Sequence, residues 1–169
     1  MAIRIYWQDE ASGSQTQLSI PLLGQGFMLA SVGDVIVDTT WLLSTDSHQP
    51  IDSDWAAKIE RCLLNFDEHP LEFKLLTQGT PYSRAVWKAL TEIPPGQVLT
   101  YSELAGKLNS GPRAVAQACR NNPYPGIIPC HRVVSKSGIG GFMGQGQGDW
   151  VEFKRQLLLY ERNIAQGAA

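Results

Sequence analysis

A chain of 169 residues, 43% hydrophobic and 18% charged, has the length of one ordinary domain or two small ones and the composition of a globular protein with a real core. No apolar run approaches the ~20 residues a helix needs to span a bilayer, and the opening MAIRIYWQDEASGS lacks a basic start followed by an apolar segment, so neither membrane insertion nor secretion is expected. The net charge of −2 conceals a split: residues 1–79 carry 4 basic against 11 acidic side chains and residues 80–169 carry 10 against 5, so only the second half suits a polyanion.

In chain order, QLSIPLL, GFMLASV and DVIVDTTWLL are rich in β-branched and apolar residues and are separated by GQG and GD, the pattern of a small antiparallel meander. In DWAAKIERCLLNF, Trp55, Ile59, Cys62, Leu63 and Phe66 recur at helical spacing, which directs Cys62 to a core. Residues up to about Phe73 read as one compact α/β unit, and TQGTP, residues 77–81, reads as a linker. Thr80 then caps a helix with Pro81 at its first position and Val86, Trp87 and Leu90 as its apolar stripe; IPPGQ ends it. Thr100 and Glu103 form a capping-box pattern opening a helix to about Leu108. NSG makes a turn, Pro112 starts PRAVAQACR, and NNP stops it, a helix-turn-helix pattern. Asp149 and Glu152 open a last helix, WVEFKRQLLLYER, after a glycine-rich loop over 138–148.

The second helix of that pair is small along much of its surface, at Ala114, Ala116 and Ala118, with Arg113 at its start. Such a face either packs on a neighbouring helix or permits close approach to another surface. Three cysteines, Cys62, Cys119 and Cys130, make an odd count without framework spacing, which favours free thiols in a reducing cytoplasm. There is no C-x-x-C, and His48 and His69 lie in the acidic half, so no metal site is expected.

Cys130 stands beside His131 in GIIPCHRVV. A thiol attacks as thiolate and needs a base or a positive field to become one. Neighbours in an extended chain point apart, so an imidazole at position 131 would reach the sulfur through a bridging water. A carboxylate from elsewhere would orient the ring, and Glu161 on the last helix is the candidate. On these residues alone, an inert core thiol beside a satisfied histidine is an equal alternative.

The stretches PYSRAVWKALTEIPPGQVLTYSELA, GPRAVAQACRNNPYPGIIPCHRVV and LLLYE, spanning roughly residues 80–162, resemble the O6-alkylguanine-DNA alkyltransferases, the methylated-DNA–protein-cysteine methyltransferase family. The resemblance implies an α/β protein: a small ribonuclease-H-like strand-and-helix domain over 1–79, then a mostly helical, winged-helix-like DNA-binding alkyltransferase domain over 80–169. It implies irreversible transfer of an alkyl group from O6-alkylguanine in double-stranded DNA to Cys130, once per molecule. No cofactor, obligate protein partner or membrane is implied. A relative that senses alkylated DNA without reacting is the alternative, and such proteins lack the acceptor thiol.

By the same resemblance His131 and Glu161 form the deprotonating relay, and Asn122 is the hinge between recognition helix and acceptor. Tyr101 helps rotate the target nucleotide and protonates the departing base. Arg113 fills the vacated place in the duplex, with Ala114 and Gln117 beside it on the DNA-facing helix. Lys154, Val133 and Phe142 are expected around the substrate pocket; Phe142 is the aromatic nearest to where the family has a tyrosine, in the glycine-rich stretch GIGGFMGQGQGDW.

Overall fold

The structure is a computed structural model and describes residues 3–43, 54–65 and 70–167. Phe66, His48 and His69 lie outside the described residues. The chain divides into two compact units, Met1–Gln78 with Pro123–Ile127, and Gly79–Asn122 with Ile128–Ala169.

The first unit is a five-stranded mixed sheet. Its strands are β1 (Ile3–Gln8), β2 (Gln15–Leu22), β3 (Gln25–Val32), β4 (Val35–Leu42) and β5 (Leu71–Leu76), in the order β1-β5-β4-β3-β2. The expected meander is β2, β3 and β4, paired antiparallel in sequence. Strands β1 and β5 are additions to that expectation. They pair parallel, Ile3 opposite Leu71 through Gln8 opposite Leu76, and β5 also pairs parallel with β4. In β5, Leu71, Phe73 and Leu75 are buried while Glu72 and Lys74 are exposed, the period of two that a half-buried strand requires. Helix α1 (Asp54–Glu60) runs on into a π-helical turn, Arg61–Asn65, and buries Ile59, Cys62 and Leu63; Cys62 therefore faces a core. Phe27 and Trp41 meet edge to face at 4.9 Å in the centre of this unit.

Residues 123–127 fold with the sheet, although they come late in the chain. Thr39 Oγ1 donates to the Pro125 carbonyl at 2.9 Å, and Tyr124, fully buried, donates its hydroxyl to the Leu76 carbonyl at 2.7 Å. Gly126 has φ +89°, and a Cβ there would lie 2.7 Å from Phe27 Cε2. Only glycine satisfies both the backbone and the space at this position.

The second unit holds α2 (Pro81–Thr91), α3 (Tyr101–Lys107), α4 (Pro112–Arg120) and α5 (Asp149–Ala165), with a short parallel pair, β6 (Leu99–Thr100) and β7 (Val133–Val134). Thr80 caps α2 by accepting from the Ser83 amide, with Pro81 at the first position, and Val86, Trp87 and Leu90 are buried. The capping box forms: Thr100 Oγ1 accepts from the Glu103 amide at 3.1 Å while Glu103 Oε2 accepts from the Thr100 amide at 2.7 Å. The alanine face of α4 is narrower than its sequence suggests. Ala114 is exposed and Ala116 half-buried, but Ala118 is turned inward, where its carbonyl accepts from Trp87 Nε1 at 2.8 Å. Among the described residues no helix is long and apolar enough to cross a membrane.

Candidate active site

Cys130 opens a one-turn 3-10 helix, Cys130–Arg132, that leads directly into β7. The segment is therefore a turn rather than the extended chain assumed from sequence. Successive side chains in such a turn still diverge, by about a third of a revolution, so Cys130 and His131 face different neighbours. Register does the rest of the positioning. Val133 pairs with Leu99 and Val134 with Thr100. Because Thr100 also caps α3, Tyr101 at the first position of that helix is brought to the Cys130 turn. At the other side, Asn122, just past the end of α4, donates its side-chain amide to the Ile128 carbonyl at 2.9 Å and hydrogen-bonds the Cys130 side chain.

His131 is 1% exposed, and its Nε2 lies 2.7 Å from Glu161 Oε1. Glu161 is itself 2% exposed. Burial pushes its carboxyl up, but His131 and Arg132 outweigh that and hold it at about 2, so it is ionised at neutral pH. An ionised carboxylate has no proton to give. Nε2 must therefore be the donor, which leaves the lone pair of a neutral ring on Nδ1. Nδ1 is buried and has no hydrogen-bond partner among the described residues. The result is an oriented imidazole with its acceptor side unused by the protein.

Arg132 shares the same carboxylate. Its Nε donates to Glu161 Oε2 at 3.0 Å, its Nη2 to Oε1 at 2.9 Å, and its Nη1 to the Ile93 carbonyl at 2.8 Å. Helix α5 supplies Lys154 as well, seven residues before Glu161 and on the same buried face, about two turns away. The Lys154 ammonium is fully buried, donating to the Val133 carbonyl at 2.7 Å and the Gly141 carbonyl at 3.1 Å. Burial brings its titration down to about 8, with Cys130 and Cys119 pulling the other way, so it is still largely cationic at pH 7.

Cys130 is half-buried. Burial pushes its thiol up, while the Asn122 hydrogen bond and the Lys154 charge favour the thiolate. The resting group is a thiol, and a base must take its proton for it to attack. Tyr101, raised to about 12 by burial and by the nearby Cys119 and Cys130, keeps its phenol proton at neutral pH and can donate it. Together these side chains provide a nucleophile, an oriented base, a fixed cation and a weak acid. That set suits displacement at a carbon attached to a poor leaving group.

Residues 81–163 match the family described as 6-O-methylguanine DNA methyltransferase, DNA binding domain. A methylated-DNA–protein-cysteine methyltransferase of Archaeoglobus fulgidus is 39% identical over 113 residues, covering 65% of this chain and 75% of that protein. The chain belongs to the methylated-DNA–protein-cysteine methyltransferase family. A Thermococcus barophilus protein of the same description is 46% identical over 96 residues, 56% of this chain; the matched stretch spans about half of that relative's length, 52%. Among solved structures, the O6-methylguanine methyltransferase of Mycobacterium tuberculosis matches with a TM-score of 0.68 at 26% identity, over 89% of this chain and 94% of that one. The same organism's protein described as OGT in complex with DNA matches with a TM-score of 0.68 at 29% identity, over 87% and 92%. The mixed α/β architecture, sheet and helices, is common to this chain and those methyltransferases.

Within this methyltransferase-family chain, Cys130, His131, Glu161, Asn122, Tyr101 and Lys154 gather around one turn. Arg113, Ala114 and Gln117 are exposed together on α4, on the side away from the buried Val115, Ala118 and Cys119. Two expected pocket residues turn their side chains into the protein core. The Val133 side chain is fully buried, and what it offers the site is its backbone carbonyl, to Lys154. Phe142 is 6% exposed and packs on Trp150 and Phe153 at 6.3 and 6.4 Å. It closes a tight turn through paired backbone bonds with Gln145, with Met143 and Gly144 both at positive φ, so its ring anchors the loop. Arg132 and Cys119 are the site neighbours that sequence reasoning missed. For Arg132 a signal existed: a charge inside the apolar run IIPCHRVV is affordable only with a buried counter-charge.

Proposed function

We propose that this protein repairs alkylated DNA by moving the alkyl group of O6-alkylguanine onto Cys130, irreversibly and once per molecule. The observation that supports this most directly is the buried imidazole of His131, the residue after Cys130 in the same turn, bound to Glu161 through Nε2 and carrying an unused acceptor at Nδ1. A water between the thiol and Nδ1 carries the proton to the ring, and Glu161 stabilises the imidazolium that forms. The S–C bond forms as the C–O6 bond breaks, and that electron pair passes to the purine. Tyr101 protonates the departing guanine, and the proton released by the thiol makes good the phenol. Lys154 steadies the thiolate. The product is a thioether, which has no carbonyl for water to attack, so the cysteine stays blocked.

Guanine O6 is out of reach inside a duplex, so the nucleotide must be extruded at a cost of a few kcal/mol. Arg113 occupies the vacated place, and the small exposed face around Ala114 and Gln117 approaches the minor groove. Phosphate contacts then dominate affinity and make it salt-dependent. On this reading residues 80–169, apart from the segment 123–127 that folds with the sheet, are the alkyltransferase domain, winged-helix-like around α3 and α4. Residues 1–79 are a domain of ribonuclease-H-like shape, which the mixed sheet and its accompanying helix support. The protein works as a cytoplasmic monomer, without cofactor or obligate protein partner.

Incubation with duplex DNA containing O6-methylguanine is expected to convert Cys130 from S–H to S–CH3, read as one methylene equivalent on its peptide. A gain on another residue, repeated turnover, or a Cys130→Ser variant that clears lesions as well as the parent would overturn the proposal.

A further inference from the structure

We infer that Arg132 is a positioning residue of the proton relay, holding Glu161 so that His131 presents Nδ1 and sharing the carboxylate's charge so that less of it acts on the ring. This rests on the reading of His131 as the base that deprotonates Cys130.

The geometry is that of a side-on fork. Two adjacent guanidinium nitrogens, Nε and Nη2, take one oxygen each of Glu161, which fixes the plane of the carboxylate as well as its position. The third nitrogen, Nη1, is tied to the Ile93 carbonyl, so the guanidinium cannot swing with the acid. Oε1 is left facing two donors, Arg132 Nη2 at 2.9 Å and His131 Nε2 at 2.7 Å. Arg132 is 3% exposed, so solvent does little to screen these charges.

The electrostatic consequence has a definite sign. A lone buried carboxylate 2.7 Å from an imidazole would favour the doubly protonated ring, and a ring already carrying two protons cannot take one from the thiol. A guanidinium on the same carboxylate opposes that protonation, because it neutralises the acid and repels a second cation. Without Arg132, Glu161 holds a proton on His131 more strongly, and the neutral base appears only at higher pH. The other titratable groups that the described residues place around the turn are Cys130 itself, Tyr101 from α3, Cys119 from α4 and Lys154 from α5; Ile93, two residues past α2, contributes a neutral carbonyl. None of these bonds Glu161 in the described residues, so the charge balance of the carboxylate is set by His131 and Arg132.

The test compares Arg132→Met, Arg132→Lys and the parent by two measurements. The first is the pH profile of methyl transfer from duplex O6-methylguanine to Cys130. The second is nitrogen-15 imidazole NMR of the unreacted proteins without DNA. The parent ring is expected as the Nε2–H tautomer. In Arg132→Met the acid limb of the rate is expected to move up by about one pH unit, a loss of about tenfold on that limb, with recovery at alkaline pH; the ring should be doubly protonated where the parent's is neutral. Lysine retains the cation but not the fork, so its limb should move part of the way, and this variant carries the test if the methionine one does not fold. A rate lowered equally at every pH, with the imidazole signals unchanged, would overturn the inference and leave Arg132 a packing residue. Because the NMR readout needs no DNA, a parent that fails to take up methyl groups would sink the transferase reading while still reporting on Arg132.

Discussion

Replacing Glu161 by glutamine keeps the shape of the side chain and removes its charge, which makes it the sharpest probe of the buried network. Glu161 titrates at about 2 against an ordinary 4.5. That difference of roughly 2.5 units corresponds to about 3 kcal/mol of native-state stability. Removing one partner of a buried ion pair typically costs a similar amount, about 3–5 kcal/mol. The sign follows from linkage. A carboxyl with a depressed native value stabilises fully above about pH 4.5, where both folded and unfolded forms are ionised. Its contribution is lost as pH falls toward 2, because only the unfolded chain takes up the proton. Urea unfolding of parent and Glu161→Gln is therefore expected to differ by about 3 kcal/mol at pH 7 and at pH 5, shrinking to about 1 kcal/mol at pH 3. A difference under about 1 kcal/mol at pH 7, or one that is the same at pH 7 and pH 3, would mean that the His131–Glu161–Arg132 cluster is not a coupled charge network in solution.

Thr100→Ala removes the capping-box hydroxyl that the Glu103 amide uses; it is expected to cost about 1 kcal/mol in denaturant unfolding, and methyl transfer should slow as well because Tyr101 is the next residue. Arg113→Ala, on the exposed side of α4, is expected to slow transfer from a duplex by about tenfold or more while leaving reaction with free O6-alkylguanine base unchanged, as followed by peptide mass; equal slowing of both would remove its place in nucleotide extrusion.

Much of this molecule was legible in sequence wherever the deciding chemistry is local. Thr80 with Pro81, Thr100 with Glu103, and Pro112 each mark a helix start, because a cap acts within one turn and needs only the residues written there. The meander of β2 to β4 was readable for the same reason, through short connections between alternating runs. The parallel strands β1 and β5 were not, since their pairing joins residues from opposite ends of the first unit and neither run signals its partner. The same holds for β6 with β7, the pairing that sets Tyr101 beside Cys130.

For the site, sequence alone nominated a thiol, an imidazole and a distant carboxylate; it could not say which nitrogen of His131 meets Glu161. Only the folded chain decided that, along with the guanidinium of Arg132 on the same acid and the two carbonyls that hold Lys154. It also turned Phe142 and Ala118 inward and left Ala114 out. Caps and turns are settled by neighbours in the chain, whereas burial and charge pairing depend on segments that meet only after folding, and the position of a proton depends on burial and charge pairing.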